Sequence, residues 1–191
     1  AAADPTSINS VRVSKEGGLY KFDVTISHND TGWDHFSDAW RILDADGKPL
    51  RAAMLEIWQA NAAGRYNSPV DDRDEAQLDK KFSGFGRVSS GSKGKFDFET
   101  IKPGSVPGTG NAPQAPHINL TLFAAATDIH LFTRLYFSDE EEANEIDPVL
   151  SSVNAARRDT LIARRKKTKK GIVYRFDVQV GGDDETVFFA I

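Results

Sequence analysis

The chain contains no cysteine, which removes disulfides, zinc–thiolate sites and thiol nucleophiles together and fits either redox compartment. Histidine is scarce as well, with four in 191 residues, and no two of them have the helical spacing of a metal-binding pair. No apolar run approaches the ~18 residues of a membrane span, and no charged-then-apolar leader opens the chain. An excess of positive charge is also missing. The formal net charge is -4, which argues against a general nucleic-acid binder. These absences leave one globular chain, expected in the cytoplasm, although the opening AAADP is also what a cleaved export signal or a fusion would leave.

What is present is alternation. The run LEIWQANAAGRY, residues 55 to 66, reads as a strand apolar on both faces. It ends in Gln59-Ala60-Asn61, turns through Ala62-Ala63-Gly64 and delivers Tyr66 at the rim of a core. LYKFDVTISH alternates through Tyr20, Phe22, Val24 and Ile26, whereas residues 1 to 10 read as a loose end. WRIL, Asp46-Gly47 and PLRAAMLEIW predict strand, hairpin turn and strand. Residues 67 to 95 predict a long ordered loop. GKFDFETI, HINLTLFAA, IHLFTRLYF, VYRFDVQV and TVFFAI add strands, and KPGSVPGTGNAPQAP an irregular crossing. Two short helices are expected in the C-terminal third. The first would be capped by Ser138 with Glu141, the second by Asp147 with Pro148. The class is all-β, an antiparallel β-sandwich with two short helices.

Few constellations can carry chemistry. His117 and Asn119, two apart on a strand, point the same way from a sheet whose other face is aliphatic. One imidazole and one neutral amide make a poor metal edge, so a hydrogen-bonded structural histidine is the simpler reading. Tyr66 alone is an amphipathic ring in a loop. His35 beside Asp34 and Asp38 has no nucleophile signature near it. SGFGR, residues 83 to 87, precedes no helix and is not read as a phosphate cradle. The basic run from Arg164 to Lys170 reads as a solvated connecting loop, or else as a face for an acidic partner.

The order of motifs is more specific. LEIWQANAAGRY, FSGFGR, TIKPG, APHIN, TRLYF, DPVL, TLIA, YRFDV and ETVFF occur in the order and spacing of the intradiol ring-cleaving dioxygenases. From about residue 42 onward the chain resembles the alpha subunits of that family. The resemblance implies a β-sandwich whose catalytic relatives hold a non-haem ferric ion with two tyrosines and two histidines. Phenolates are hard anionic donors suited to Fe(III). Carried over by position, the first tyrosine is Tyr66 and the first histidine His117. The second tyrosine falls on Val106, the second histidine on Asn119, and an arginine three residues before the first histidine falls on Gln114.

A site so depleted implies no metal on this chain and no catalytic residue. It implies a catalytic beta subunit that carries Fe(III), a hetero-oligomer, and an aromatic carboxylate substrate at the interface. Arg134, in TRLYF, is the expected cation there; the plainer reading pairs it with a carboxylate on the sheet surface. No nucleic acid or membrane partner is expected. The chain reads as one sandwich domain over residues 1 to 191. Its core is 46 to 191, and residues 1 to 45 have a different origin, because they lack the TxGPY-like opening of the alpha subunits and look like a small exported β-domain. The rival reading is a stand-alone or chimeric β-sandwich module that binds or supports without activity.

Overall fold

The computed structural model describes residues 7–16, 19–27, 40–49, 53–73, 78–91, 93–108, 110, 112–124, 130–169 and 171–190. The chain separates into two compact units, Ala1–Asp34 and His35–Ile191. The first holds an antiparallel hairpin of β1 (Ser7–Glu16) and β2 (Leu19–Ser27), with an irregularity in register between Ile8 and Ser10. Residues 7 to 10 therefore begin a strand and are not part of a loose end; their partners across the hairpin fix them where composition alone suggested nothing.

The second unit is the sandwich. Its larger sheet runs in the order β12 (Gly171–Arg175), β11 (Ile162–Thr168), β10 (Leu131–Phe137), β9 (His117–Phe123), β4 (Met54–Gln59), β5 (Phe85–Ser89). The facing sheet has β13 (Asp177–Gln179), β3 (Trp40–Leu43) and β6 (Lys95–Phe96). A short ribbon of β7 (Val106–Pro107) and β8 (Pro113–Gln114) crosses the irregular segment.

Period-2 alternation decides which side chains enter the core. Leu55 and Ile57 of β4, Ile118, Leu120 and Leu122 of β9, and Leu135 of β10 point inward. They meet Ile42, Phe96 and Val178 from the facing sheet. Tyr174, Phe176 and Val178 are buried as the alternation of VYRFDVQV requires, but the chain changes sheets at Phe176, so that one apolar run serves both layers.

The sandwich is as expected, and several local expectations are corrected. Two pairings are parallel, β10 with β11 and β13 with β3. The Asp46-Gly47 turn forms, with the Asp44 side chain accepting from the backbone N–H groups of Asp46 and Lys48 at 3.0 and 2.8 Å. However, β3 and β4 lie in different sheets, so the turn is a corner and not a strand-pairing hairpin. The long loop predicted over residues 67 to 95 contains β5 and the start of β6. Gly86 and Ser89 hide the alternation of β5, which as an edge strand buries little.

The basic run is a strand and not a connecting loop. Arg164 to Thr168 pair with Gly171 to Arg175, and only Ile162 and Ala163 touch β10. The four basic residues from Arg164 to Lys167 are all exposed, so no apolar alternation announces this strand.

The helices are short. α1 (Glu141–Ile146) has Glu140 at its N-cap and no side-chain cap. The Ser138–Glu141 capping box does not form, because the Ser138 hydroxyl instead accepts from the backbone N–H of Arg165 at 2.9 Å. α2 (Pro148–Ser152) is capped by Asp147 with Pro148 at the first position, as predicted. A third, 3-10 helix spans Ala155–Leu161, capped by Asn154. Among the described residues no helix is long and apolar enough to cross a membrane.

Candidate functional site

The outer face of the larger sheet carries polar side chains in rows across its strands. Trp58 on β4 lies opposite Asn119 on β9, and Asn119 lies opposite Arg134 on β10. The next pair along is His117 with Tyr136. Alternation puts all five on the side away from the core, in two adjacent rows. The sequence reading placed His117 and Asn119 on one face, and the structure agrees. It adds Trp58 to the same face.

The loop after β4 folds back over this face because buried polar groups tie it down. Gln59, 1% exposed, donates from its side chain to the Ile101 carbonyl at 2.8 Å and accepts from the Thr100 hydroxyl at 2.8 Å. The Asn61 side chain accepts from the backbone N–H groups of Ala63 and Arg65 at 2.9 and 3.0 Å, which closes the turn. Gly64 there has φ +76°, and a Cβ on it would lie 1.9 Å from the Ser105 carbonyl oxygen. A Cβ on Gly104 would lie 2.4 Å from the Ala62 carbonyl oxygen. These two glycines let the Tyr66 loop and the Val106 ribbon interlock backbone to backbone.

Tyr66 emerges from the turn and stacks on Trp58, with ring centroids 5.6 Å apart and planes 14° from parallel. Its backbone N–H donates to the Asp71 carboxylate at 2.8 Å, and Asp71 is paired with the Arg73 guanidinium. That ion pair, with the backbone bonds, holds the Asp71 carboxyl down at about 2. Neither Asp71 nor Arg73 carried a signal in the sequence, since a pair two residues apart in a polar loop is not distinctive.

A single chain of hydrogen bonds runs through the residues singled out from the sequence. Asn119 Nδ2 donates to the Tyr66 hydroxyl at 3.0 Å and to the Trp58 carbonyl at 3.3 Å. The Tyr66 hydroxyl lies 3.3 Å from His117 Nε2. His117 Nδ1 lies 2.7 Å from the Ala115 carbonyl, which can only accept, so Nδ1 carries the proton and Nε2 receives the phenol's. Burial, followed by the nearby Arg134 charge, lowers the His117 pKa to about 4, so the ring is neutral at pH 7. Burial likewise raises Tyr66, which stays a phenol.

Ala115 is anchored in turn by Asp147, whose Oδ2 accepts from its N–H at 2.8 Å. The other oxygen of Asp147 accepts from Val149 N, Leu150 N and the Tyr136 hydroxyl. Sequence reasoning saw Asp147 only as a helix cap.

Over this network lies an open cavity of about 390 Å³, bounded by Trp58, Tyr66, Val106, Gln114, His117 and Arg134 among others. Arg134 Nη1 donates to Gln114 Oε1 at 2.7 Å. Among the described residues no carboxylate lies at ion-pair distance from Arg134. Of the remaining histidines, His130 is exposed and packs between Phe123 and Phe132, away from this cavity. His28 and His35, with the acidic neighbours of His35, lie outside the described residues.

A family model described as "Dioxygenase" matches residues 23–182. The chain is 41% identical over 162 residues to the protocatechuate 3,4-dioxygenase alpha chain of Pseudomonas putida, an overlap of 84% of this chain and 78% of that one. The chain belongs to the intradiol dioxygenase family. It is also 41% identical over 153 residues to the protocatechuate 3,4-dioxygenase beta chain of Burkholderia cepacia, covering 76% of this chain and 64% of that one. An intradiol ring-cleavage dioxygenase of Tetranychus urticae has the same fold, with a TM-score of 0.59 at 19% identity over 82% of this chain and 85% of the other. The family match begins at residue 23, inside β2 and ahead of the motif run that starts near residue 42.

The four intradiol ligand positions, as the resemblance places them, are Tyr66, Val106, His117 and Asn119, and the residues there do not fit a ferric ion. Val106 is aliphatic and 6% exposed. Asn119 presents its amide N–H groups, which repel a cation, and the two remaining donors are hydrogen-bonded to each other. The Tyr66 hydroxyl and His117 Nε2 are already engaged with each other and with Asn119, and closing a metal site on them would break those bonds.

Proposed function

We propose that this chain is a non-catalytic alpha-type subunit of a protocatechuate-cleaving intradiol dioxygenase. It assembles with a beta subunit that holds the ferric ion, and it completes and shapes the substrate site at their interface. The reaction opens the aromatic ring between its two hydroxyl-bearing carbons and places both atoms of O₂ in the new carboxyl groups, giving 3-carboxy-cis,cis-muconate. The ferric centre supplies that chemistry from the partner; this chain supplies binding and shape. The observation that carries the reading is the self-satisfied row Asn119–Tyr66–His117–Ala115, found where a catalytic relative would hold its metal. The family relationship and the 41% identity to an alpha chain supply its context.

Arg134 is the cation this chain offers to the substrate carboxylate, through charge-assisted hydrogen bonds that an uncharged catechol cannot make. The test is reconstitution. The chain purified alone should contain little iron and take up no oxygen with protocatechuate, and mixing it with an iron-loaded beta chain should give ring cleavage above that of the beta chain by itself. Stoichiometric iron in the chain alone, with the strong visible absorption of a ferric phenolate, would overturn the proposal. In the complex, Arg134→Ala should raise KM for protocatechuate about tenfold more than for catechol, as expected for one charge-assisted pair. Equal effects on both substrates would remove the carboxylate role.

A further inference from the structure

Charge is unevenly placed along this chain. Six of its 24 basic residues occupy the seven positions 164 to 170, although the net charge is -4. Five acids occupy the seven positions 139 to 145. The fold sets these two runs side by side. β11 pairs with β10 only through Ile162 and Ala163, and residues 164 to 168 pair with β12 alone. α1 follows directly on β10, and the two runs meet where the Arg165 guanidinium lies 3.3 Å from the Asp139 carboxylate. Lys102 pairs with Asp139 and Glu140 at the same junction, and Arg164 with Asp159.

Beyond the junction the charges are not spent within the chain. Lys166, Lys167 and Lys169 are exposed on the ribbon, and Glu141, Glu142 and Glu145 are exposed on α1. Among the described residues no opposite charge lies at ion-pair distance from any of the six. α1 also carries Ile146, 63% exposed, on one helical face with Glu142 and Glu145. Lysine stems can cover such a side chain while their ammonium groups reach the glutamates beside it. Residues 164 to 168 extend about 16 Å, and the six residues of α1 about 9 Å, so the ribbon is long enough to lie along the helix.

We propose that this chain pairs with a second copy of itself, the β11 ribbon of each copy lying on α1 of the other. Because the two runs are neighbours, a two-fold axis at their junction brings basic onto acidic twice, and the interface closes on itself. Exposed ion pairs are individually weak and screened by salt, so the dimer forms at high protein concentration and low ionic strength. The contact goes beyond the functional reading and does not rest on it, since it uses no residue of the cavity and needs no beta subunit.

The experiment is sedimentation of the full chain at about 100 μM, in about 0.1 M and then 1 M salt, between which the screening length falls from roughly 10 to 3 Å. Twice the chain mass is expected at the lower salt and the single mass at the higher. Lys166→Glu with Lys167→Glu, and separately Glu142→Lys with Glu145→Lys, should each weaken the dimer at least about tenfold, because like charges then face each other. Mixed one to one, the two variants should form a dimer that neither forms alone, since each ribbon then meets an α1 of opposite sign. Melting curves show whether the variants are folded.

A ribbon whose lysines only guard it against stray strand pairing would leave the native chain monomeric at both salts, and that result would overturn the proposal. So would a dimer indifferent to salt, a dimer that persists in either folded variant, or a mixture of folded variants that stays monomeric. The native chain decides the first two of these even if a variant fails to fold. A chain that is monomeric alone but active with an iron-loaded beta chain would sink this contact and keep the functional reading. A salt-sensitive dimer that never associates with a beta chain would do the reverse.

Discussion

Replacing Asp147 with alanine is expected to lower the unfolding free energy by about 3–5 kcal/mol, read from the urea midpoint at constant slope. The residue is fully buried and both carboxylate oxygens are engaged. Oδ1 accepts from Val149 N at 2.9 Å, Leu150 N at 2.7 Å and the Tyr136 hydroxyl at 3.2 Å, and Oδ2 accepts from Ala115 N at 2.8 Å. Alanine would leave three N–H groups and a phenol without an acceptor in a region closed to water. A lost N-cap alone costs about 0.5–2 kcal/mol, and each further buried orphan about 1–3.

Asp147→Asn should fall in between. One oxygen can still cap α2, but the amide N–H groups would face the N–H of Ala115. Because Ala115 fixes the His117 tautomer through its carbonyl, both variants should also shift the His117 ring signals in an NMR spectrum. A loss below about 1 kcal/mol with unmoved ring signals would show that Asp147 is only a local cap.

That residue also marks the limit of what the sequence could say. Asp147-Pro148 is legible as a helix start because the cap and the proline act within three residues. Its bond to Ala115 spans 32 positions and has no local signature. The same division runs through the molecule. Ile118, Leu120 and Leu122 declare their core face by alternation, and so do Tyr174 and Phe176. β11 stayed hidden because a strand exposed at four successive residues, Arg164 to Lys167, obeys no apolar pattern. β5 stayed hidden because Gly86 and Ser89 dilute its alternation.

At the site, the positions of Tyr66, Val106, Gln114, His117, Asn119 and Arg134 were legible through motif order, and the structure brings all six to one cavity or its floor. What motif order could not give is how they are spent. The stacking of Tyr66 on Trp58, the Asn119–Tyr66–His117 chain and the Arg134–Gln114 bond are pairings across strands and loops, set by sheet register.

Acidification should expose the His117 link directly. An unfolded histidine titrates near 6.5, whereas burial and Arg134 hold the folded ring's pKa at about 4. Below pH 6.5 the unfolded chain takes up the proton and the folded chain does not. Stability is therefore full above the unfolded value and falls as pH drops through the window down to about 4, at up to roughly 1.4 kcal/mol per pH unit and about 3 kcal/mol in all. Once protonated, the ring can no longer accept from Tyr66, so the hydrogen-bond chain breaks at the same step.

The Asp71 carboxyl, held down at about 2 chiefly by Arg73, contributes stability that is lost mainly below its unfolded value near 3.8, and it is common to both chains in the comparison that follows. His117→Gln removes the titrating group while keeping a side chain that can accept from Tyr66, and the comparison cancels the other histidines. The expected result is a native curve that drops steeply between pH 6.5 and 4 and a variant curve that is flatter by about 3 kcal/mol across the same interval. Parallel curves would mean that His117 titrates alike in the folded and unfolded chains, and then the buried, desolvated acceptor at Nε2 would have to be given up.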